Sequence, residues 1–383
     1  MKISIICPLY KGEKYVDKII EMINRNFDYC KTYIKNISVE LIFINDYPNE
    51  HIQINKNTDI NIFLYQNEIN RGIHYSRVYG VNVSKGEYIL FLDQDDEIVD
   101  EFLYSQLSKI NDADAIICNG YNKGREIYSS QVYIENACKM ESYLNGENLI
   151  VSPGQVILKR KAVESLWAEK ILKNNGADDY FLWLLMFITE KTFTYNNELL
   201  YKHVTTGVNT SNNFEQMTKS VLEVIDYLWK NKMITEQTKE NIAHKFNQSF
   251  NVAELEYRYK RSSKILEILD IWLSQKENNR TCKKYLYEQG INSIVIYGCG
   301  VLGKHLAREM IEAEIKIDCI MDRKLGIAVD GIDSRKIGDN IDDSAVIVIT
   351  PVVDIKNIES VLRKFYKNRI IHVSEIVDRK SVV

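Results

Sequence analysis

The strongest constraint on the fold is a regular exchange of two periodicities along the N-terminal part of the chain. Apolar, β-rich runs at residues 2–7, 39–44, 60–65 and 87–92 alternate with helix-like stretches at 14–26 and 75–83. Strands that alternate with helices predict an α/β fold with a mostly parallel sheet. Ligands of such sheets bind beyond the carboxyl ends of the strands. Polar residues stand at those ends: Tyr10 after the first run, Asp46 after the second, and Asp93, Asp95 and Asp96 after the fourth.

The fourth run carries the sharpest question. ILFLDQDDE, residues 89–97, ends a buried-looking strand in three carboxylates. Like charges this close raise each other's pKa and repel, so they must face water or hold something positive. A hard divalent cation meets that need. Taken alone, D-x-D is a weak signal, because acidic clusters are common in surface turns.

A short strand at 115–118 follows, then a Tyr- and Asn-rich stretch to about residue 150. SPGQVILKRKAVESL, from Ser152, predicts a loop, a strand and a helix start. NNGADDYFLWLLMFITE, from Asn174, predicts an apolar helix with Asp178 and Asp179 at its N-terminal end, where the macrodipole favours negative charge. Residues 215–289 have helical periodicity with few breakers. From Ile291 the pattern returns to strand and turn: INSIVIYGCGVLGKHLAREMIEAEIKIDCIMD, then a strand at 345–350 and a helix to about 368. The expected organisation is a catalytic domain over 1–214, a helical connector over 215–289 and a small α/β domain over 290–383.

A chain of 383 residues exceeds one ordinary core, and 45% hydrophobic with 27% charged residues is a globular composition. The formal net charge of -4 gives no general attraction to nucleic acid. No run of 18 apolar residues occurs and the first apolar stretch is short for a signal peptide, so a cytoplasmic location is expected. The seven cysteines are scattered, without a CxxC pair or zinc-ligand spacing, and read as reduced packing residues.

Ordered motifs accompany the acidic strand: SIICPLYKGEKYV, ELIFIND, NEINRGIHYSRVYGVNVSKGEYILFLDQDD and, downstream, ADDYFLW. Over about residues 1–211 the chain resembles the family 2 glycosyltransferases, which have a GT-A fold and move a sugar from a nucleotide diphosphate to an acceptor hydroxyl. The resemblance implies that Asp95 ligates Mn2+ or Mg2+ and that Asp93 lies near the ribose or the metal. The cation would bridge the donor diphosphate and stabilise the charge of the leaving group. Asp96 either supports these ligands or is a solvated turn acid. By the same resemblance Asp46 contacts the nucleobase, Pro8, Tyr10 and Glu13 line the nucleoside pocket, and Arg77 faces the donor. Family members usually carry two acids where this chain has Asn45 and Asp46, and a small-residue turn where it has Tyr47 and Pro48, which leaves the base open. Asp178 and Asp179 take the place of the family's acid pair, whose second member is the general base of an inverting transfer. Pro153, Gly154 and Gln155 resemble the loop beside the acceptor, with Gln155 also reaching the donor. His203, in YKHVTTGVNTS, resembles the closing segment near the diphosphate. Trp183 reads as core rather than as a sugar platform.

YGCGVLG has the G-x-G-x-x-G spacing between a strand and a helix, where glycines let a backbone approach a pyrophosphate. Gly298, Gly300 and Gly303 form a candidate nucleotide site with Asp322, an acid placed to hold a ribose. This domain resembles the Rossmann-like modules appended to some bacterial sugar-processing enzymes. It is expected to be a binding, regulatory or oligomerisation module rather than an oxidoreductase. The whole sequence thus predicts an inverting, metal-dependent transferase using a UDP-linked donor, with a saccharide or lipid-linked saccharide acceptor, in bacterial surface polysaccharide synthesis. Lys239, Lys245, Arg258, Lys260, Arg261 and Lys264 are compatible with peripheral attraction to the inner face of the membrane or with a solvated helix face. The alternatives are a nucleotide-binding regulator with an inactive transferase domain and an oxidoreductase run by the C-terminal domain.

Overall fold

The structure, a computed structural model, describes residues 1–54, 58–204, 214–278, 282–322 and 331–378. It divides into two compact units, Met1–Asn251 and Val252–Val383.

In the first unit the strands are β1 (Lys2–Leu9), β2 (Ser38–Asn45), β3 (Asn61–Gln66), β4 (Tyr88–Phe91), β5 (Glu97–Ile98), β6 (Ala115–Asn122), β7 (Arg125–Glu126), β8 (Val156–Lys159) and β9 (Phe193–His203). Its helices are α1 (Glu13–Tyr33), α2 (Ile73–Val83), α3 (Phe102–Lys109), α4 (Gln131–Ala137), α5 (Met140–Leu144), α6 (Ser165–Glu169), α7 (Asp178–Ile188) and α8 (Phe214–Lys230), with α9 (Glu236–Glu277) running on into the second unit. The sheet order is β3-β2-β1-β4-β8-β6-β9-β5, with β7 paired to β6. The block β3-β2-β1-β4 is wholly parallel, and the sheet becomes mixed at β8, which pairs antiparallel with both β4 and β6.

Alternate residues of these strands enter different cores. Ile6, Ile89, Phe91, Ile117 and Leu158 face one, while Ile5, Cys7, Leu90, Leu92 and Ile157 face the other. Burial on both faces is why the strands read as continuous apolar runs. Pro8 is tolerated inside a central strand because β4 ends first. Ile6 O accepts Leu92 N at 3.0 Å, so position 8 turns the same edge outward beyond the end of β4, where no ladder bond is required.

The second unit contains the latter part of α9, α10 (Cys282–Glu288), β10 (Ser293–Tyr297), α11 (Val301–Glu312), β11 (Lys316–Met321), β12 (Ser334–Arg335), β13 (Val346–Ile349), α12 (Ile355–Leu362), β14 (Ile370–His372) and α13 (Val373–Val377). Its strands form an all-parallel sheet in the order β12-β11-β10-β13-β14. The helical segment over 215–289 contributes to cores of both units. Val221, Val224, Ile225, Leu228 and Ile242 belong to a core of the first unit, whereas Ile268, Trp272, Tyr285 and Leu286 belong to a core of the second.

Candidate active site

Four parallel strands deliver their carboxyl ends to one edge of the sheet, and the polar residues there are tied to one another. Asp46, at the end of β2, is buried; its Oδ1 accepts Asn67 Nδ2 at 2.8 Å and Arg71 N at 2.7 Å, and its Oδ2 accepts Gly72 N at 2.8 Å. Gly72 has a φ of 86°, left-handed backbone that glycine adopts without penalty, and this turn starts α2. Asn45, where the family usually has an acid, donates to Glu50 O and to Gln66 Oε1, both at 2.9 Å. Glu50 in turn accepts the amides of Gly12 at 2.8 Å and Glu13 at 3.3 Å, so a carboxylate already covers the N-terminus of α1. The Glu13 side chain is exposed.

Tyr10 lies at the open mouth, 46% exposed, with its ring edge-on to Tyr47 at 5.3 Å and Lys11 Nζ within 5.5 Å of both ring centres. Gln94, the middle residue of the D-x-D motif, clamps Tyr10 by accepting its N–H at 3.0 Å and donating to its carbonyl at 3.2 Å. Pro8 is buried beneath Tyr10 in β1.

The three acids of the DQDD turn part company. Asp93 and Asp95 are half-buried at the edge. Asp96 is 2% exposed, so the solvated-turn alternative is corrected. Its Oδ2 accepts the hydroxyls of Ser152, at 3.1 Å, and Tyr201, and its Oδ1 meets His203 Nδ1 and Val204 N, each at 3.1 Å. The Asp96 hydrogen bond raises the pKa of His203 despite partial burial. The rest of the expected closing segment, at 205–211, lies outside the described residues. Gln155 is fully buried below this edge. Its Oε1 accepts Val151 N at 2.8 Å and its Nε2 donates to Cys118 O at 2.9 Å, so it fixes the 153–155 turn from behind, with Pro153 and Gly154 also buried.

Arg77 brings the acid pair to this edge. It is 4% exposed; Nη2 donates to Asp93 Oδ1 at 2.5 Å and Nη1 to Asp178 Oδ2 at 2.6 Å. Both acids enter from α7, whose remaining face is apolar and buried nearly all round, Trp183 included. Asp178 is buried and paired, whereas Asp179 is only partly buried and accepts Tyr180 N at 2.7 Å through Oδ1; its Oδ2 has no hydrogen bond among the described residues. Burial and the neighbouring Asp178 push the Asp179 carboxyl up to about 7, against the pull of Arg77. Burial likewise raises Asp93, opposed by Arg77.

Asp93 and Asp95 supply hard oxygen donors suited to Mg2+ or Mn2+. Among the described residues no group of three or more His, Cys, Asp or Glu converges on one point, and a cation held by Asp93 and Asp95 would need water and phosphate to complete its shell.

Residues 4–167 match the family described as Glycosyl transferase family 2. That stretch is a family 2 glycosyltransferase region. The matched stretch holds the parallel strands, Asp46, Arg77 and the DQDD turn of the transferase domain, while α7 and its acid pair lie beyond it. An uncharacterized glycosyltransferase of Haemophilus influenzae is 28% identical over 147 residues, 37% of this chain and 55% of that protein. Glycosyltransferase GlyG of Streptococcus pneumoniae is 28% identical over 173 residues, 42% of this chain and 50% of that protein. The chain thus spans about half the length of these two relatives. Among solved structures, residues 1–349 of TarS from S. aureus in complex with UDP-GlcNAc align at 19% identity and a TM-score of 0.49, covering 64% of this chain and 71% of that one.

In the second unit Gly298 has a φ of 95°, and a Cβ on Gly303 would lie 2.0 Å from Gly298 O, so both glycines are required by geometry. Around Gly300 no atom would lie within 4 Å of an added Cβ. Asp322 Oδ2 accepts Cys299 N at 2.7 Å, a contact with the glycine loop itself.

Gln94, Ser152 and Tyr201 were not foreseen as parts of the site. Gln94 lay inside the quoted motif, but nothing in a sequence pairs it with Tyr10, 84 residues away.

Proposed function

We propose that the chain transfers a sugar from a UDP-linked donor to an acceptor hydroxyl with inversion of configuration. The carrying observation is the separation of the two acids at the head of α7: Arg77 holds Asp178 as a paired carboxylate, while Asp179 remains partly exposed with a pKa of about 7. A base works best when its pKa lies near the operating pH, so Asp179 is the general base and Asp178 positions Arg77. The nucleoside would rest at Tyr10 and Tyr47, with Asp46 bracing the wall behind. Asp93 and Asp95 would hold Mn2+ or Mg2+, whose Lewis acidity, when bound, stabilises the departing diphosphate. Asp179 takes the proton of the acceptor hydroxyl as its oxygen attacks the anomeric carbon from the face opposite that leaving group.

The acceptor we assign is a saccharide or lipid-linked saccharide of bacterial surface polysaccharide assembly, the setting of the enzymes that the N-terminal motifs resemble. No helix of the described residues is long and apolar enough to cross a membrane. The C-terminal unit is assigned a binding or assembly role rather than hydride chemistry, since Asp322 already takes up a loop amide.

The test is kcat and donor Kd for Asp179→Asn beside Asp178→Asn. Asp179→Asn should lower kcat by about 10²- to 10⁴-fold and leave donor Kd unchanged. If only Asp178→Asn abolishes transfer, the roles are exchanged; if neither does, α7 is structural. Asp95→Ala should abolish the manganese-dependent part of the thermal shift given by a nucleotide sugar. An undiminished shift would remove Asp95 from the metal site.

A further inference from the structure

Within Val252–Val383, α9 buries one face and leaves another bare. Ile268 and Trp272 enter the core, and Trp272 Nε1 donates to Glu309 Oε2 at 2.7 Å. On a different face stand Val252, Leu255, Tyr259, Leu266 and Leu273, each 55 to 76% exposed. Val252, Tyr259, Leu266 and Leu273 recur at every seventh residue, with Leu255 at an intermediate position of the same repeat and Leu269, half-buried against the unit's core, at another. A stripe with this period is the seam of a coiled coil, narrower than the face a helix turns to a globular core. It extends for roughly 30 Å at 1.5 Å per residue.

A lipid surface and another helix are the two chemistries that would cover such a stripe, and the charges separate them. From Val252 to Glu277 the helix carries five basic and five acidic side chains, so no net charge draws it to anionic lipid. Glu256 and Asp270 also flank the stripe directly. The charges are sorted into blocks: Glu254 and Glu256, then Arg258, Lys260, Arg261 and Lys264, then Glu267 and Asp270.

We infer that this stripe of α9 pairs antiparallel with the same stripe of a second copy of the chain. With Leu255 level with Leu273 of the second copy, Tyr259 falls level with Leu269 and Ser262 with Leu266. Each layer then sets the first position of one heptad against the fourth position of the other. The same register places Lys260 near the height of the second copy's Glu267 and Asp270, on the same flank of the seam, and the two-fold axis repeats the pairing. Ser262, small and exposed, is the fourth-position residue of the central layers, opposite Leu266 of the second copy.

Light scattering and sedimentation of the full chain over a dilution series should give the mass of two copies. Leu255→Lys combined with Leu266→Lys should give one copy with an unchanged circular dichroism spectrum, because both side chains stand in solvent and folding does not depend on them. Lys260→Glu should weaken the dimer, and adding Glu267→Lys and Asp270→Lys to the same chain should restore it. A parent chain that remains single at every concentration overturns the inference. So does a dimer indifferent to the leucine changes, or a single-copy parent that binds phosphatidylserine vesicles through this stripe.

Discussion

At Arg77 one guanidinium joins Asp93 to Asp178, and Asp179 feels its charge without being held by it. Burial disfavours the charged Arg77, but Asp178, Asp93 and Asp179 more than offset this, so it stays protonated. With Asp179 at about 7, kcat/KM should rise with pH through that value, and the acid limb should vanish in Asp179→Asn. A pH–rate profile checks this. The linked stability effect has a definite sign. A carboxyl raised in the folded state contributes fully below its unfolded pKa of about 3.9, and the contribution is lost as pH rises through the folded value. Urea unfolding should therefore show Asp179→Asn gaining on the parent between pH 4 and 8. Both acids were visible in the sequence as ADDYFLW, and the family resemblance set Asp179 apart as the expected base, but the pairing of Asp178 with Arg77 was not visible. The partner stands 101 residues away, and neighbouring residues on a helix start look alike until something binds one of them.

The elements that position these side chains differ in how plainly the sequence announces them. β1, β2 and β4 were legible because each is buried on both faces. β9 was not, and the reason is its pairing with β6, which shifts register between Cys118 and Asn119 and again before Gly120. These irregularities break the two-residue alternation on which strand recognition rests. α2 was legible as a helix, whereas its height above the sheet depends on Gly80, where an added Cβ would come within 2.3 Å of Ile6 Cγ2. Gly80→Ala should therefore cost about 1–3 kcal/mol of stability by overpacking. Because α2 also carries Arg77, the same variant should lose transfer activity at temperatures where it is still folded. Denaturant melts and activity assays at matched folded fractions check the two effects separately.

Across the whole molecule, the expected boundaries at 214 and 289 followed helical periodicity, which marks helices but not the core each turn joins. The division after Asn251 falls inside α9, where the buried residues change allegiance from Ile242 to Ile268. Two units with separate cores should melt in two calorimetric transitions. A nucleotide sugar with manganese should raise the transition of the first and leave the other in place, since only a state that binds ligand is stabilised by it. One transition that moves as a whole would contradict this. Strand β9 adds a consequence in time. It lies between β6 and β5 in the sheet but follows both in the chain, and its last three residues include Tyr201 and His203, which meet Asp96. At about 5–20 residues per second of synthesis, roughly 5–20 s pass between the emergence of Asp96 and that of His203, 107 residues later. From the emergence of β6 until that of β9 the nascent chain carries an open edge on β6, and its acidic turn stands without its Tyr201 and His203 partners.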